Sequence, residues 1–168
     1  MFWKILKALA EDLRERSKIA LTEAFIDGTH AGAKRGALVG VTRRGPATKI
    51  MAIADTRGLP IAVGIASGPR HEVGLVEETL GRRFVRGRLL RLIGDKAYDS
   101  NKLDAALRKR GIDMIAPHHP THTTKTQDER KLRRQRWMIE RVFAWLMRSR
   151  RLVIDNVHCQ TSAHGDST

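Results

Sequence analysis

Cysteine occurs once, at Cys159, in a chain of 168 residues. A single thiol excludes an internal disulfide and provides no thiolate set for structural zinc, so a reduced, cytoplasmic setting is the expectation. Aromatic residues make up 5% of the chain and Tyr98 is its one tyrosine. That leaves little for stacking on unpaired bases. No apolar run reaches the roughly 20 residues that a bilayer-spanning helix needs, and no membrane partner is expected. The opening MFWKILKALAEDLRER carries Glu11, Asp12 and Glu15 and fits a secretion signal poorly. The pattern GxxxxGK[ST] is missing, which argues against nucleoside-triphosphate hydrolysis on a phosphate-binding loop. Acidic residues are also scarce: eighteen Asp and Glu stand against thirty-two Lys and Arg, a formal charge of +14. A field of that sign attracts polyanions, nucleic acid first among them.

What is present reads as one domain with a real core, since 41% of residues are apolar. Phe2, Trp3, Leu6, Leu9 and Leu13 recur at helical spacing, so residues 1–21 read as an amphipathic helical segment that packs on the domain. LTEAFIDGTH (21–30) reads as a strand ending at Asp27, and the Gly- and Arg-rich stretch after it as a basic loop. TKIMAIAD (48–55) and PIAVGIAS (60–67), joined by TRG, read as a hairpin. A helix is expected over 72–80, with Val73, Leu75 and Val76 inward and Glu77 and Glu78 outward. A fourth strand runs through RLLRLIGD. Then come a helix capped by Asp99 or Ser100 and closed by Gly111, a fifth strand (112–117), a polar loop, and the longest helix, KLRRQRWMIERVFAWLMRSRRL. Antiparallel strands followed by alternating strand and helix give an α/β class, a five-stranded mixed sheet flanked by helices. The domain is expected over 22–153, with a loose polar tail over 154–168.

Three carboxylates stand out. Asp27 and Asp95 end the first and fourth strands, and in such a topology those strands lie side by side, with the hairpin growing away on the first strand's other edge. Glu140 sits alone among basic and apolar residues, at the margin of its helix's apolar arc. Clustered carboxylates repel one another unless a divalent cation compensates, and two ions about 4 Å apart serve in-line attack on a phosphodiester. Each residue also has a plainer reading. Asp27 in IDGT and Asp95 in GDKAYDS each suit a turn or a strand end, and Glu140 can pair with Arg136 one helical turn earlier.

Four blocks resemble the catalytic domain of bacterial insertion-sequence transposases of the DDE class. They are FIDGT, TRRGPATKIMAIAD with GLPIAVGIASGPRHE, LIGDKAYDS, and RQRWMIERVFAWLMRSRRL, together spanning about residues 22–153. The resemblance implies a ribonuclease H-like fold and a metal-binding triad of Asp27, Asp95 and Glu140. It implies Mg²⁺ or Mn²⁺ in two sites, and double-stranded DNA, both transposon ends and target, as the substrate. Hydrolysis at the element's end, then attack by the freed 3′ hydroxyl, is the implied reaction, performed by a homo-oligomer in the nucleoid. Arg136 matches the family's arginine four residues before the glutamate. The chain departs where the family often has tyrosine, at Arg133, and where it often has lysine, at Met147, with Arg148 next along about 100° away. Those departures, and the short ends, motivate the alternative of a degenerate remnant that only binds DNA. A non-catalytic basic nucleic-acid module is the other alternative.

Further phosphate contacts are expected from Lys34, Arg35, Arg43 and Arg44, which lie between small residues near the first aspartate. Lys49 and Lys96, beside the strands, either balance carboxylates or touch DNA. The run from Lys125 to Arg151 holds ten basic residues against three acids, a phosphate track. HHPTH (118–122) lacks the companion ligands of a zinc site and reads as a solvated loop. His30 and His71 fall near element ends, where contact with DNA or support of the carboxylates is conceivable.

Overall fold

β1 (Glu23–Ala33) is the spine of the sheet. Its residues alternate between two apolar faces, so each neighbouring strand is held in one register. The computed structural model describes residues 2–16, 19–117, 129–148 and 154–155. On one edge, β1 pairs antiparallel with β3 (Gly45–Asp55), from Ala24↔Asp55 to Gly32↔Ala47. The outer edge of β3 carries β4 (Pro60–Ser67) and, nearer its start, the short β2 (Gly40–Thr42). On the other edge, β1 pairs in parallel with β5 (Arg91–Ile93), which pairs in parallel with β6 (Asp113–Ile115). Further along that same edge, β7 (Ile154–Asp155) pairs with Gly32 and Ala33.

Helices cover both faces. Ile26, Met51 and Ile53 point to the face closed by α2 (Val76–Gly81), α3 (Asn101–Arg108) and a 3-10 turn over Glu72–Leu75. α1 (Phe2–Glu15) joins this core through Ala10 and Leu13. Phe25, Ile50, Ala52, Ala54 and Ile93 point the other way and pack on Ile139, Val142 and Phe143 of α4 (Glu129–Met147). Period-2 strands and period-3.6 helices therefore meet as the patterning requires.

The first and fourth strands do lie side by side, with the hairpin on the other edge of β1. The sheet has seven strands, not five, because β2 and β7 add short pairings at its rims. Several local expectations change. β1 does not stop at Asp27: pairing with β3 holds it extended for six residues more. The basic stretch after it is partly ordered as the β2–β3 hairpin, closed by Gly45 at φ 107 and by the Thr42 hydroxyl donating to the Gly45 carbonyl at 2.7 Å. Of the residues expected on the inward face of α1, Leu13 packs on the core and Leu9 does not. Leu9 is 56% exposed, and the neighbouring Ala10 is buried instead. Residues 154 and 155, assigned to the loose tail, pair with β1. The 118–122 histidine cluster and residues 156–168 lie outside the described residues.

Ser100 caps α3, its Oγ accepting from Leu103 N–H at 3.5 Å, and Gly111 beyond its end takes φ 69. Between β3 and β4 the Asp55 carboxylate is fully buried. It accepts backbone N–H groups from Ala20, Arg57 and Leu59 at 2.9, 3.0 and 2.8 Å. That aspartate is a structural staple, satisfied by the turn it closes.

Candidate active site

β5 leaves β1 after the pair Phe25↔Ile93. Two residues further along the chain come Asp27, still on β1, and Asp95, just past the end of β5. Alternation gives both aspartates the same face. Asp27 is in phase with Phe25, and its antiparallel partner Ala52 belongs to the α4 side. A Cβ placed on Gly94 would meet Tyr98 and Met114 on the opposite side, so the next residue, Asp95, turns toward α4. Beyond Asp27 the edge of β1 stays unoccupied by any described strand until β7 joins at Gly32. The two carboxylates therefore flank a notch in the sheet.

Both aspartates are half-buried. Asp27 Oδ1 accepts from Gly28 N–H at 2.8 Å. Asp95 Oδ1 accepts from Ala97 N–H at 2.8 Å, capping a 3-10 turn over Lys96–Tyr98. The strand-ending role that its sequence suggested is thus real, and it leaves Asp95 Oδ2 as a second acceptor atom.

Glu140 lies on α4, which packs across β1 and β3 through Ile139, Val142 and Phe143. Its side chain is on the exposed margin of that helix. The structure places Asp27 and Asp95 each two residues beyond the last β1–β5 pair, and puts Glu140 on the helix over the same face of the sheet. Among the described residues, no three His, Cys, Asp or Glu side chains converge closely enough to hold a metal ion. The donor chemistry fits a hard divalent cation nonetheless, since the two half-buried aspartates offer carboxylate oxygens.

The next residue, Arg141, fixes how α4 sits. Its guanidinium lies 4.6 Å from the Trp137 ring centroid and 5.3 Å from that of Trp145, and it donates to the Arg57 carbonyl at 2.7 Å. Gly58, at φ 78, makes room: a Cβ there would come within 2.7 Å of the Arg141 Nη2. The helix bearing Glu140 is thereby pinned to the β3–β4 turn.

Behind Asp27, on the sheet's other face, lies a cluster that sequence reasoning passed over. Glu72 approaches β1 so closely that a Cβ on Gly28 would sit 2.7 Å from its Cδ. Its Oε2 accepts the Tyr98 hydroxyl at 2.9 Å, and its Oε1 pairs with Lys49 Nζ at 3.4 Å. Tyr98 is fully buried. Burial, then the negative charge of Glu72 and its hydrogen bond, then Asp27 and Asp95, hold its hydroxyl far above the ordinary tyrosine range. Lys49 is buried too and also donates to the Arg70 carbonyl at 2.7 Å. Lys49 therefore departs from both roles expected for it, contact with DNA and balance of the site's carboxylates: its ammonium is buried against Glu72. Glu72 ends the block GLPIAVGIASGPRHE, at the opening turn after the hairpin, but nothing local there gives it a role.

A groove of about 830 Å³ runs from Gly28, Thr29 and His30 to Arg43 and Arg44 at the β2–β3 tip. His30 Nε2 lies 3.0 Å from the Gly68 carbonyl, so that ring is turned toward the groove's floor. Arg43 and Arg44 are exposed, as are Lys34, Arg35, Lys96 and Arg148. His71 is exposed ahead of the Glu72 turn and makes no capping bond. Arg133 and Arg136 belong to α4, but their side chains lie outside the described residues. No described helix is long and apolar enough to cross a membrane.

Comparison with known proteins gives concordant results. The family described as "Transposase DDE domain" matches residues 20–164. A putative transposase for insertion sequence element IS402 of Burkholderia cepacia is 30% identical over 120 residues, covering 67% of this chain and 54% of that protein. The chain thus spans about half the length of that relative. Among solved structures, the intasome of simian T-cell lymphotropic virus in complex with PP2A regulatory subunit B56 gamma matches at TM-score 0.51 and 16% identity. That match covers 77% of this chain and 40% of the other, and it shows a shared fold. The catalytic core domain of BIV integrase matches at TM-score 0.46 and 15% identity, over 76% and 67% of the two chains. With the family matching most of its length, this chain belongs to the DDE transposases.

Proposed function

We propose that this domain cleaves phosphodiester bonds at the ends of a mobile DNA element and joins the freed ends to target DNA. The observation that carries the reading is the placement of Asp27 on β1 and Asp95 just past the end of β5, each two residues beyond the last parallel pair Phe25↔Ile93, on the face covered by the helix that bears Glu140. These three carboxylates would hold the divalent ions, Mg²⁺ or Mn²⁺, in a two-ion arrangement. Bound there, the ions would supply Lewis-acid activation of the attacking oxygen and neutralise charge at the phosphate.

The chain's own residues do the rest. Asp27 and Asp95 fix two ligand positions on rigid backbone. Glu140, on the exposed margin of α4, supplies the third carboxylate, and the Arg141 clamp ties that helix to the β3–β4 turn. Arg43, Arg44, Lys34 and Arg35 line the approach on the β2–β3 side and hold the phosphate backbone. Lys96 and Arg148, both exposed, together with Arg133 and Arg136 of α4, are the further phosphate contacts in this reading. A charge of +14 makes such binding strongly salt-dependent. Two copies on paired ends, within the nucleoid, would form the working assembly.

The experiment is cleavage and joining of labelled duplexes carrying the element's terminal sequences, with Mg²⁺, Mn²⁺ or neither. Metal-dependent nicking at the element boundary, lost in Asp27→Asn and Asp95→Asn, supports the reading. Duplex binding with no nicking under any metal condition, unchanged by either substitution, would instead leave a protein that only binds DNA.

A further inference from the structure

Asp27 and Asp95 belong to segments far apart in sequence, and β1 and β5 stop pairing just before either is reached. Backbone hydrogen bonds between those two strands therefore do not set the spacing at the aspartates themselves. One link does cross at that level. Asp95 caps the 3-10 turn that ends in Tyr98, and Tyr98 donates to Glu72 at 2.9 Å. Glu72 in turn is wedged against Gly28, the residue after Asp27, where only a hydrogen atom leaves room for it. Lys49 holds the other oxygen of Glu72 from β3, the strand paired with β1. The path from one aspartate to the other thus runs Asp95, Tyr98, Glu72, Gly28, Asp27, behind the sheet, through a buried ring.

We propose that Glu72 and Tyr98 are positioning residues, a tie across the back of the sheet that sets the separation of the Asp27 and Asp95 carboxylates. Neither side chain needs to reach the DNA or the metal: both lie on the face opposite α4. The tie rests on the metal-holding role assigned to the aspartates above, and it adds a specific claim to it. The hydrogen bond counts for more than the charge. Glutamine at position 72 still accepts from the tyrosine hydroxyl, whereas alanine does not.

The test is Mn²⁺ titration of the full chain, followed by the electron paramagnetic resonance signal of the free ion, with a thermal melt for each variant. The set comprises the parent, Asp27→Asn, Tyr98→Phe, Glu72→Ala, Glu72→Gln and Leu80→Ala, the last a destabilised control on the same face. Outer-shell supports typically change metal affinity about 10–100-fold. A loss of that size is expected in Tyr98→Phe and Glu72→Ala, with Glu72→Gln near the parent and Leu80→Ala unchanged in affinity though lower in melting temperature. Parental affinity in Tyr98→Phe overturns the tie and leaves the metal reading intact. Equal losses in Glu72→Gln and Glu72→Ala also overturn it, because charge would then be what matters. Equal Mn²⁺ binding by the parent and Asp27→Asn removes the metal reading, and the tie with it.

Discussion

The two faces of the sheet are built to different standards. On one, α1, α2, α3 and the Glu72 turn close over Ile26, Met51, Ile53, Leu92 and Tyr98, all almost wholly buried. On the other, among the described residues, α4 alone lies across the strands, over a smaller cluster around Phe25, Ala52 and Ile139. The aspartates open onto the thinly covered side. Close packing supplies stability, while under the proposed function a site for a long, stiff duplex needs a face that is not sealed. The two aspartates Asp55 and Asp27 repeat the contrast in miniature. Asp55 is buried and meets three backbone donors at a turn. Asp27, one strand over, is half-exposed beside the notch.

Four substitutions would break or sharpen this division. Ile53→Ala, on the sealed face, should cost about 2–5 kcal/mol, the usual range for deleting a buried isoleucine side chain. In a chain this size that lowers the melting temperature by roughly 4–20 °C, by calorimetry. Asp27→Asn should do the reverse: little change in melting without metal, but a fall in DNA cleavage beyond the roughly 100-fold upper range of outer-shell changes. A large melting shift in Asp27→Asn would erase the distinction between the faces.

Arg141→Ala should fall between, losing about 1–2 kcal/mol from two cation–π contacts and a charge-assisted hydrogen bond. Hydrogen exchange should then show α4 opening ahead of the strands. Smallest is a change outside both faces. Glu78→Gln removes surface pairs with Arg70 and Arg82 and should move stability by no more than about 1 kcal/mol in denaturant melts.

Alkaline pH separates the faces further. Tyr98 keeps its proton in the folded state well above 10, while the unfolded chain releases it there. Above pH 10 the unfolded state binds fewer protons, so stability falls with pH, by about 1.4 kcal/mol per unit from this group. Melts from pH 9 to 11 should decline less steeply in Tyr98→Phe.

The hairpin was legible because TRG and the flanking β-branched residues punctuate it, and PIAVGIAS (60–67) matches β4 end to end. The adjacency of the first and fourth strands was legible from topology alone. The strand through Asp27 was misjudged at its end, since IDGT reads locally as a turn and only pairing with β3, some twenty residues on, holds it straight. The β2–β3 hairpin hid in a run of glycine and arginine. Glu72 could not be reached by local patterning: its partners Tyr98, Lys49 and Gly28 come from three other elements, and the contact with Tyr98 spans 26 residues.

The Arg141 clamp also bears on how such a chain can vary over time. The β3–β4 turn is a surface loop, the kind of place where insertions ordinarily accumulate. Here its Arg57 carbonyl and bare Gly58 are seats for the helix that carries Glu140. An added residue at that turn would shift α4, whereas among the described residues no helix is seated on the Arg43–Arg44 tip. Of the two hairpins, the second should keep its length in working relatives, and the first should be where lengths and basic residues drift with the DNA each one meets.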